Sequence, residues 1–543
     1  MNDTAKGLRP TRAIARSTRA MVASPHALAT AAGVDVLRRG GNAVDAAIAT
    51  NAVLSVVYPA SCGIGGDAFW IVHDSSRVVR HAQAARTVCY NGSGRTPRTA
   101  SLDRLPGGAL PQRGALSVTV PGAVRSWEDV AREHGTRGLD ELLAPAEHFA
   151  RNGFAMTDVV ANYVALNEPL LRADAEATRI FLKDGLPREG DCQCSTDLAD
   201  TLGAIRRGGA DAFYTGAIAE RIVAALRRGG SVMSLDDLAS HRTEATLPLR
   251  IPWNGGELLT HPPNSQGACL LLGAGMLAGD GAADEPLWHH LGVEAMKRAI
   301  AIRDATFRDP AFGPTGIEHE LTAERLRALR ATIDPERAMA REQLPDRGGT
   351  IFLCVVDEDG MAVSLIESLY MNFGSGIIAG GTGVVLQNRG AYFSTKPGHP
   401  NVYEGGKRPV HTLSPPMFLR DGEPEIVFGT MGGDGQPQIL LQILHQLVDR
   451  GLDVQRALDH PRWVYGRHTL TERPDLKPGE TVLVESRMPA EIVAGFKQRG
   501  HVVEALGPFE NAMGHAHGIV IDRERGTLAG GSDPRADSLA LGL

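Results

Sequence analysis

Residues 346–357 read Asp346-Arg347-Gly348-Gly349-Thr350-Ile351-Phe352-Leu353-Cys354-Val355-Val356-Asp357. A flexible Gly-Gly pair runs into a threonine that opens an apolar, β-branched run. This layout suits a chain that cuts itself between Gly349 and Thr350 and then uses the new N-terminal threonine as a nucleophile. A threonine hydroxyl is weak at neutral pH and needs an adjacent base, and a freed α-amine on the same residue can be that base. Read alone, the stretch fits an ordinary strand start better, since threonine is common there and Gly-Gly-Thr is a weak signal.

The flanking residues extend the reading. Residues 351–357 and 361–368 both have strand character, and Glu358-Asp359-Gly360 lies between them. A three-residue loop ending in glycine fits a type I turn followed by a left-handed residue. If Asp357 faces Met361, the register sets Thr350 opposite Ser368. A hydroxyl there can hydrogen-bond to the nucleophile and orient it, although a Thr–Ser pair is also a favourable surface pair. Further on, the strand-like Glu425-Ile426-Val427-Phe428 leads into Gly429-Thr430-Met431-Gly432-Gly433-Asp434-Gly435. Glycines allow backbone N–H groups to approach a reacting centre closely, and two such groups could hold the oxyanion of acyl transfer. An ordinary glycine-rich turn is the other reading.

The bulk properties narrow the class. The chain has 543 residues, 43% hydrophobic and 22% charged, with a net charge of −7. These values describe a globular protein with a sizeable core. Both signs of charge are interspersed, so no nucleic-acid footprint is seen. Arg9, Arg12, Arg16 and Arg19 form a basic N-terminal cluster with no long apolar stretch after it. Neither a signal peptide nor a membrane span is expected, which points to the cytoplasm. Six cysteines in a chain this long do not make a disulfide scaffold. Cys192-Gln193-Cys194 lacks a second ligand pair, and His515-Ala516-His517 reads as structural, so neither a metal nor a cofactor is expected.

Residues 1–20 are expected to be disordered. Ser24-Pro25 reads as a helix start, with the helix stopped at Gly40-Gly41. Asn42 should cap a second helix, Ala43 to about Val57, apolar on nearly every face and therefore buried. Gly63-x-Gly65-x-x-Ala68 resembles a dinucleotide fingerprint, but it precedes a strand and follows a helix, the wrong order for phosphate binding. Residues 120–250 read as mainly helical, Leu247–Pro252 and Glu257–Thr260 as strands, and Trp288 to Phe307 as a helix. Residues 321–345 form a charged helical segment and a mobile approach to Gly348. No repeat or long linker divides the chain, so one interlocked unit is expected.

Several of these motifs together resemble the γ-glutamyltransferase family of N-terminal-nucleophile hydrolases. They are Gly40-Gly41-Asn42-Ala43-Val44-Asp45-Ala46-Ala47, Glu294-Ala295-Met296-Lys297 with Arg303-Asp304, and Thr350 with its hairpin. Phe373-Gly374-Ser375-Gly376, Lys407-Arg408-Pro409, Leu413-Ser414-Pro415 and Ser532-Asp533-Pro534-Arg535 complete the set. The resemblance implies an α/β (α+β) chain folded as a four-layer αββα sandwich. It implies self-cleavage into a large subunit, 1–349, and a small one, 350–543, which form an obligate heterodimer. A dimer of such pairs is a further option. It places Thr350 on the nucleophile, Ser368 on the supporting hydroxyl, and Gly432 and Gly433 on the oxyanion hole.

The chain departs from the transpeptidases of that family where they read the γ-glutamyl group. Ser93 stands at the position of their carboxylate-binding arginine, with Arg95 two residues on. Tyr370 replaces an asparagine. Arg389 and Tyr392 replace the glutamine and aspartate that hold the substrate amine, and His411-Thr412 replaces a serine pair. An arginine fork suits a carboxylate and repels an ammonium. The expected substrate is therefore a small amide whose acyl part carries an acid but no α-amine, as in the oxamate amidohydrolase branch. A structural salt bridge is the other reading of Arg389. A γ-glutamyltransferase or glutathione hydrolase is the alternative within the class. A non-catalytic binding protein that kept the fold is the alternative outside it.

Overall fold

The computed structural model describes residues 10–76, 86–339, 349–466 and 481–543. The polypeptide begins with strands β1 (Ala15–Ser17) and β2 (Met21–Ser24), then helices α1 (Ala27–Arg38) and α2 (Ala43–Val57). Strands β3 (Asp67–His73) and β4 (Thr87–Gly92) follow. A largely helical stretch then leads to β5 (Glu244–Thr246), β6 (Leu249–Trp253) and β7 (Gly256–Thr260). Helices α3 (Ala268–Met276) and α4 (Glu285–Thr306) precede β8 (Gly349–Val356) and β9 (Ala362–Tyr370). The remainder carries β10 (Pro416–Arg420), β11 (Glu423–Thr430), α5 (Gln436–Leu444), β12 (Ala516–Asp522), β13 (Thr527–Ser532) and β14 (Leu539–Gly542).

These strands form two seven-stranded sheets, ordered β14-β2-β8-β9-β3-β4-β5 and β1-β13-β12-β11-β10-β7-β6. Alternation along each strand decides what lies between them. Phe69, Ile71, Phe352, Cys354, Val356 and Ile366 of the first sheet meet Leu259, Met417, Leu419, Val427 and Ile519 of the second in one core. The intervening residues Trp70, Ile351, Leu353, Val355 and Leu365 point the other way, onto α1, α2 and the helices of residues 123–226. The second sheet buries its outer face against α3, α4 and α5. The layers are therefore helix, sheet, sheet, helix, as expected.

Local chemistry sets the elements. Asn42 caps α2 by accepting from Asp45 N, and the Asp45 carboxylate returns the bond to Asn42 N. That capping box starts a helix in which every residue is buried. Gly360 adopts φ +82, and Asp357 N donates to Met361 O at 3.1 Å, closing the three-residue hairpin in the expected register. From Ile351, opposite Glu367, to Val356, opposite Ala362, the pairing runs without a break. A bulge at Thr350 then sets Gly349 against Tyr370.

Two expectations need correction. Residues 10–20 are ordered: β1 pairs with β13, Thr11 bonds Asp459, and the Arg12 guanidinium donates to the carbonyls of Ala536 and Ser538. A short polar segment lacks an apolar pattern of its own but can add to a ready sheet edge. Ser24-Pro25 does not start α1. Ser24 ends a strand, and His26 is the N-cap, its ring nitrogen accepting from Leu28 N. Of the charged segment expected at 321–345, Ala323–Ala331 is helical, and the approach to Gly348 lies outside the described residues.

Candidate active site

Thr350 lies at the start of β8 and is 1% exposed. Its hydroxyl donates to Ser368 Oγ at 3.2 Å, so the cross-strand partner expected from the hairpin is in place. Ser368 Oγ also donates to Gly349 O at 2.6 Å and accepts from Tyr370 N at 2.7 Å and Arg389 Nη2 at 3.1 Å. A hydroxyl offers one hydrogen and two lone pairs. Three donors compete for those lone pairs, and the Thr350 bond is the longest of them. A Cβ on Gly349 would lie 2.5 Å from Asn372 Oδ1, so a side chain there would require Asn372 to shift.

Arg389 is fully buried, and no carboxylate of the described residues comes within ion-pair distance of it. Its guanidinium donates to Thr412 Oγ1 at 3.0 Å as well as to Ser368, and its Nε has no partner. It lies 4.3 Å from the Tyr370 ring centroid, close enough for a cation–π contact. Burial pulls its pKa down to about 10, which leaves it charged at neutral pH. Tyr370 takes φ +79 to reach this position, a conformation that costs a bulky residue of order 1–3 kcal/mol. That turn brings Tyr370 N back to Ser368 Oγ. Strain of this kind has no signal in the sequence. The Tyr392 ring packs edge-on against Tyr370 at 5.8 Å.

The second sheet supplies the opposite wall. Gln266 Nε2 donates to Thr412 O and Gly433 O, each at 2.8 Å, and Gln266 Oε1 accepts from Arg303 Nη1 at 2.7 Å. Gly432 and Gly433 take φ of +135 and +54. Gly433 is joined to Thr350 through Gln266, Thr412, Arg389 and Ser368. Asp434 is occupied by Arg303 and by the Tyr392 hydroxyl at 2.9 Å. A cleft of about 270 Å³, lined by Arg303, Asp304, Tyr392, Phe393 and Asn401 among others, opens beside Tyr392.

Two expected contributors are committed elsewhere. Arg95 pairs with Asp309 at 2.5 Å and Glu244 at 3.1 Å. Ser93 bonds Asn91 Oδ1 at 2.6 Å and accepts from Asn264 Nδ2 at 3.2 Å. Thr412 does bond Arg389, whereas the His411 ring faces Asp67, with Nε2 3.6 Å from Oδ2. Asp67 was not singled out from the sequence, yet it pairs with Ser368 across β3 and β9. The alternation of β3 could have flagged it, because a charged residue begins a strand whose next two residues on that face, Phe69 and Ile71, are apolar and buried. The resemblance implies that the loop of residues 261–267 lies near the substrate, but nothing local in the sequence marks Gln266 as the connector within it.

Behind the sheet, buried Glu367 accepts from Gly63 N at 2.9 Å and from Asn51 on α2. Burial pushes its pKa up to about 8. These bonds hold the Cys62–Gly66 loop against the end of β9. His290, Glu294 and His501 are the one cluster of the described residues with metal-ligand spacing. Glu294 is already paired with Lys297 and Arg298, and His290 bonds His501 and Asp334 O. That donor set is satisfied by protein. Among the described residues, no helix is long and apolar enough to cross a membrane.

The family profile described as gamma-glutamyltranspeptidase matches residues 29–543. The chain is 39% identical to the glutathione hydrolase-like YwrD proenzyme of Bacillus subtilis (strain 168), over 97% of this chain and 99% of that one. It is 35% identical to the oxamate amidohydrolase proenzyme of Klebsiella pneumoniae subsp. pneumoniae, with the same coverage of 97% and 99%. Its fold superposes on that of cephalosporin acylase from Bacillus halodurans with a TM-score of 0.89 at 33% identity, covering 99% of this chain and 98% of that one.

Proposed function

The chain belongs to the gamma-glutamyltranspeptidase family of N-terminal-nucleophile hydrolases, enzymes of amide hydrolysis and acyl transfer, and within it we propose a self-processing amidohydrolase acting on small acid-bearing acyl amides. Thr350 Oγ1 attacks the Gly349 carbonyl carbon, the acyl group shifts from nitrogen to oxygen, and water cleaves the resulting ester. This frees the Thr350 amine and a Gly349 carboxylate. Fragments 1–349 and 350–543 remain together as a heterodimer, because strands of both are interleaved in each sheet.

In turnover, Thr350 Oγ1 attacks the substrate's amide carbon while its own amine takes the proton and passes it to the leaving amine. N–H groups of the Gly432-Gly433 segment stabilise the oxyanion, and water then hydrolyses the acyl-threonine. Cleavage releases Gly349 O from Ser368, whose hydrogen is then free to orient Thr350.

The substrate reading rests on Arg389: a buried guanidinium without a carboxylate partner among the described residues, stacked on Tyr370 and bonded to the hydroxyl beside the nucleophile. Such a cation calls for an anion. The alternative, a γ-glutamyl donor, draws on Asp67, a buried carboxylate able to meet an ammonium. Hydrolysis of oxamate, N-glutaryl-4-nitroanilide and γ-glutamyl-4-nitroanilide decides between them. Preference for acids without an amine supports the proposal, and a wide preference for the γ-glutamyl donor overturns it.

A further inference from the structure

Asp67 begins β3 directly across from Ser368 in β9. Paired residues of adjacent strands share a face, so its carboxylate stands on the nucleophile's side of the sheet. It is fully buried. Oδ1 accepts from Gly94 N at 3.1 Å, whereas Oδ2 has no hydrogen-bond partner. His411 Nε2 lies 3.6 Å from Oδ2, and neither nitrogen of that ring has a partner. Arg389 Nε has none either. Buried polar atoms are almost always paired. Asp67 and His411 face each other with unmade bonds, and Arg389, the first charge acting on both, has an unmade bond as well, which marks a place suited to a polar occupant.

The groups that act on this carboxyl are Arg389 and Arg408 on the positive side, with Glu367, Tyr214 and neutral His411 around it. Desolvation outweighs the arginines and the Gly94 and Gly122 N–H groups, pushing the Asp67 pKa up to about 7. Near neutrality both forms are therefore present.

We propose that Asp67 is a specificity-determining residue that reads the acid of the acyl group: protonated, it donates Oδ2–H to the substrate carboxylate held by Arg389, and ionised, it excludes that carboxylate. This inference rests on the assignment of Arg389 as the acid-binding group. The balance is simple. Above neutrality, binding of the acid takes up one proton from solvent, which stays on Asp67 while the acyl group is bound.

The test compares N-oxalyl- and N-glutaryl-4-nitroanilide with their methyl esters from pH 6 to 9. The ratio of kcat/KM for acid over ester cancels the titration of the Thr350 amine, which both substrates share. The ratio should be flat below about pH 7 and fall about tenfold per pH unit above it. In Asp67→Asn, which is neutral at every pH, that alkaline fall should vanish. Calorimetric binding of glutarate to the wild type at pH 8, in two buffers of different ionisation enthalpy, should show uptake of about one proton and needs no variant.

A wild-type ratio that favours the acid but does not change with pH, or binding without proton uptake, overturns the role of Asp67 and leaves Arg389 standing. A γ-glutamyl anilide that gains on the esters above pH 7 also overturns it, because ionised Asp67 would then be holding an ammonium. If the acid has no advantage even at pH 6, the assignment of Arg389 falls and takes this inference with it.

Discussion

The Ser368 hydroxyl donates to the carbonyl of Gly349 at 2.6 Å in the uncut chain. It polarises the bond that Thr350 would attack, and the same oxygen sits 3.2 Å from the Thr350 hydroxyl. One serine thus touches both the attacking and the attacked group of the proposed self-cleavage, and the geometry leads to four measurable consequences.

Self-cleavage should split the 57.7 kDa chain into fragments of about 37 and 21 kDa. N-terminal sequencing of the smaller fragment should begin Thr-Ile-Phe-Leu. Thr350→Ala should remain full length and inert. An uncut wild-type chain with full activity would rule out the mechanism.

Ser368→Ala leaves Gly349 O and Tyr370 N without their present partner. Unmade buried bonds of this kind cost about 1–3 kcal/mol, so the variant should fold with a lowered Tm. It should also process more slowly and show a reduced kcat, since Thr350 loses its orienting neighbour. Time courses of cleavage that match the wild type would remove Ser368 from the mechanism.

Arg389→Gln should lose about ten- to more than a hundredfold in kcat/KM on an acidic amide, the equivalent of a charge-assisted bond worth about 1.5–3 kcal/mol. A neutral amide should be nearly unaffected. Arg389→Lys should rescue the acid only in part, because a point charge cannot reproduce bonds to both Ser368 and Thr412. Equal losses on both substrates would mean that Arg389 serves structure alone.

Glu367 carries a pKa raised to about 8 by burial, so the folded state holds a proton that the unfolded chain releases near 4.3. Stability from this group is complete below the unfolded value and is lost as pH rises through about 8. The slope is at most about 1.4 kcal/mol per pH unit. Buried histidines with lowered pKa values act in the opposite sense, but only below about 6.5. Between pH 7 and 8, uncut Thr350→Ala should therefore lose denaturant stability. The loss should be smaller when Glu367→Gln is added. Equal slopes in the two proteins would show that Glu367 does not titrate in that window.

Much of the architecture was legible because it is encoded over short distances. The Asn42 cap and the apolar run to Val57 define a buried helix within fifteen residues. Glu358-Asp359-Gly360 defines a hairpin, and the hairpin alone brings Ser368 to Thr350. The correction at residues 10–20 has the same cause in reverse: β1 is stabilised by β13, some 500 residues away in sequence, and nothing local announces it.

By itself the sequence determined the strand of Thr350, the Ser368 hydroxyl beside it and the glycine-rich segment beyond, since periodicity and turn chemistry are local properties. Only the tertiary structure decided which charges are free to act. Arg95 and Arg389 are alike as sequence, yet Arg95 is neutralised by Asp309 and Glu244 while Arg389 stacks on Tyr370 with no acid of the described residues in ion-pair contact. Asp67 reads as the end of a glycine loop until β3 sets it across from Ser368 and burial removes its solvent. Coulomb interactions and desolvation depend on neighbours through space, and those neighbours come from strands and loops hundreds of residues apart.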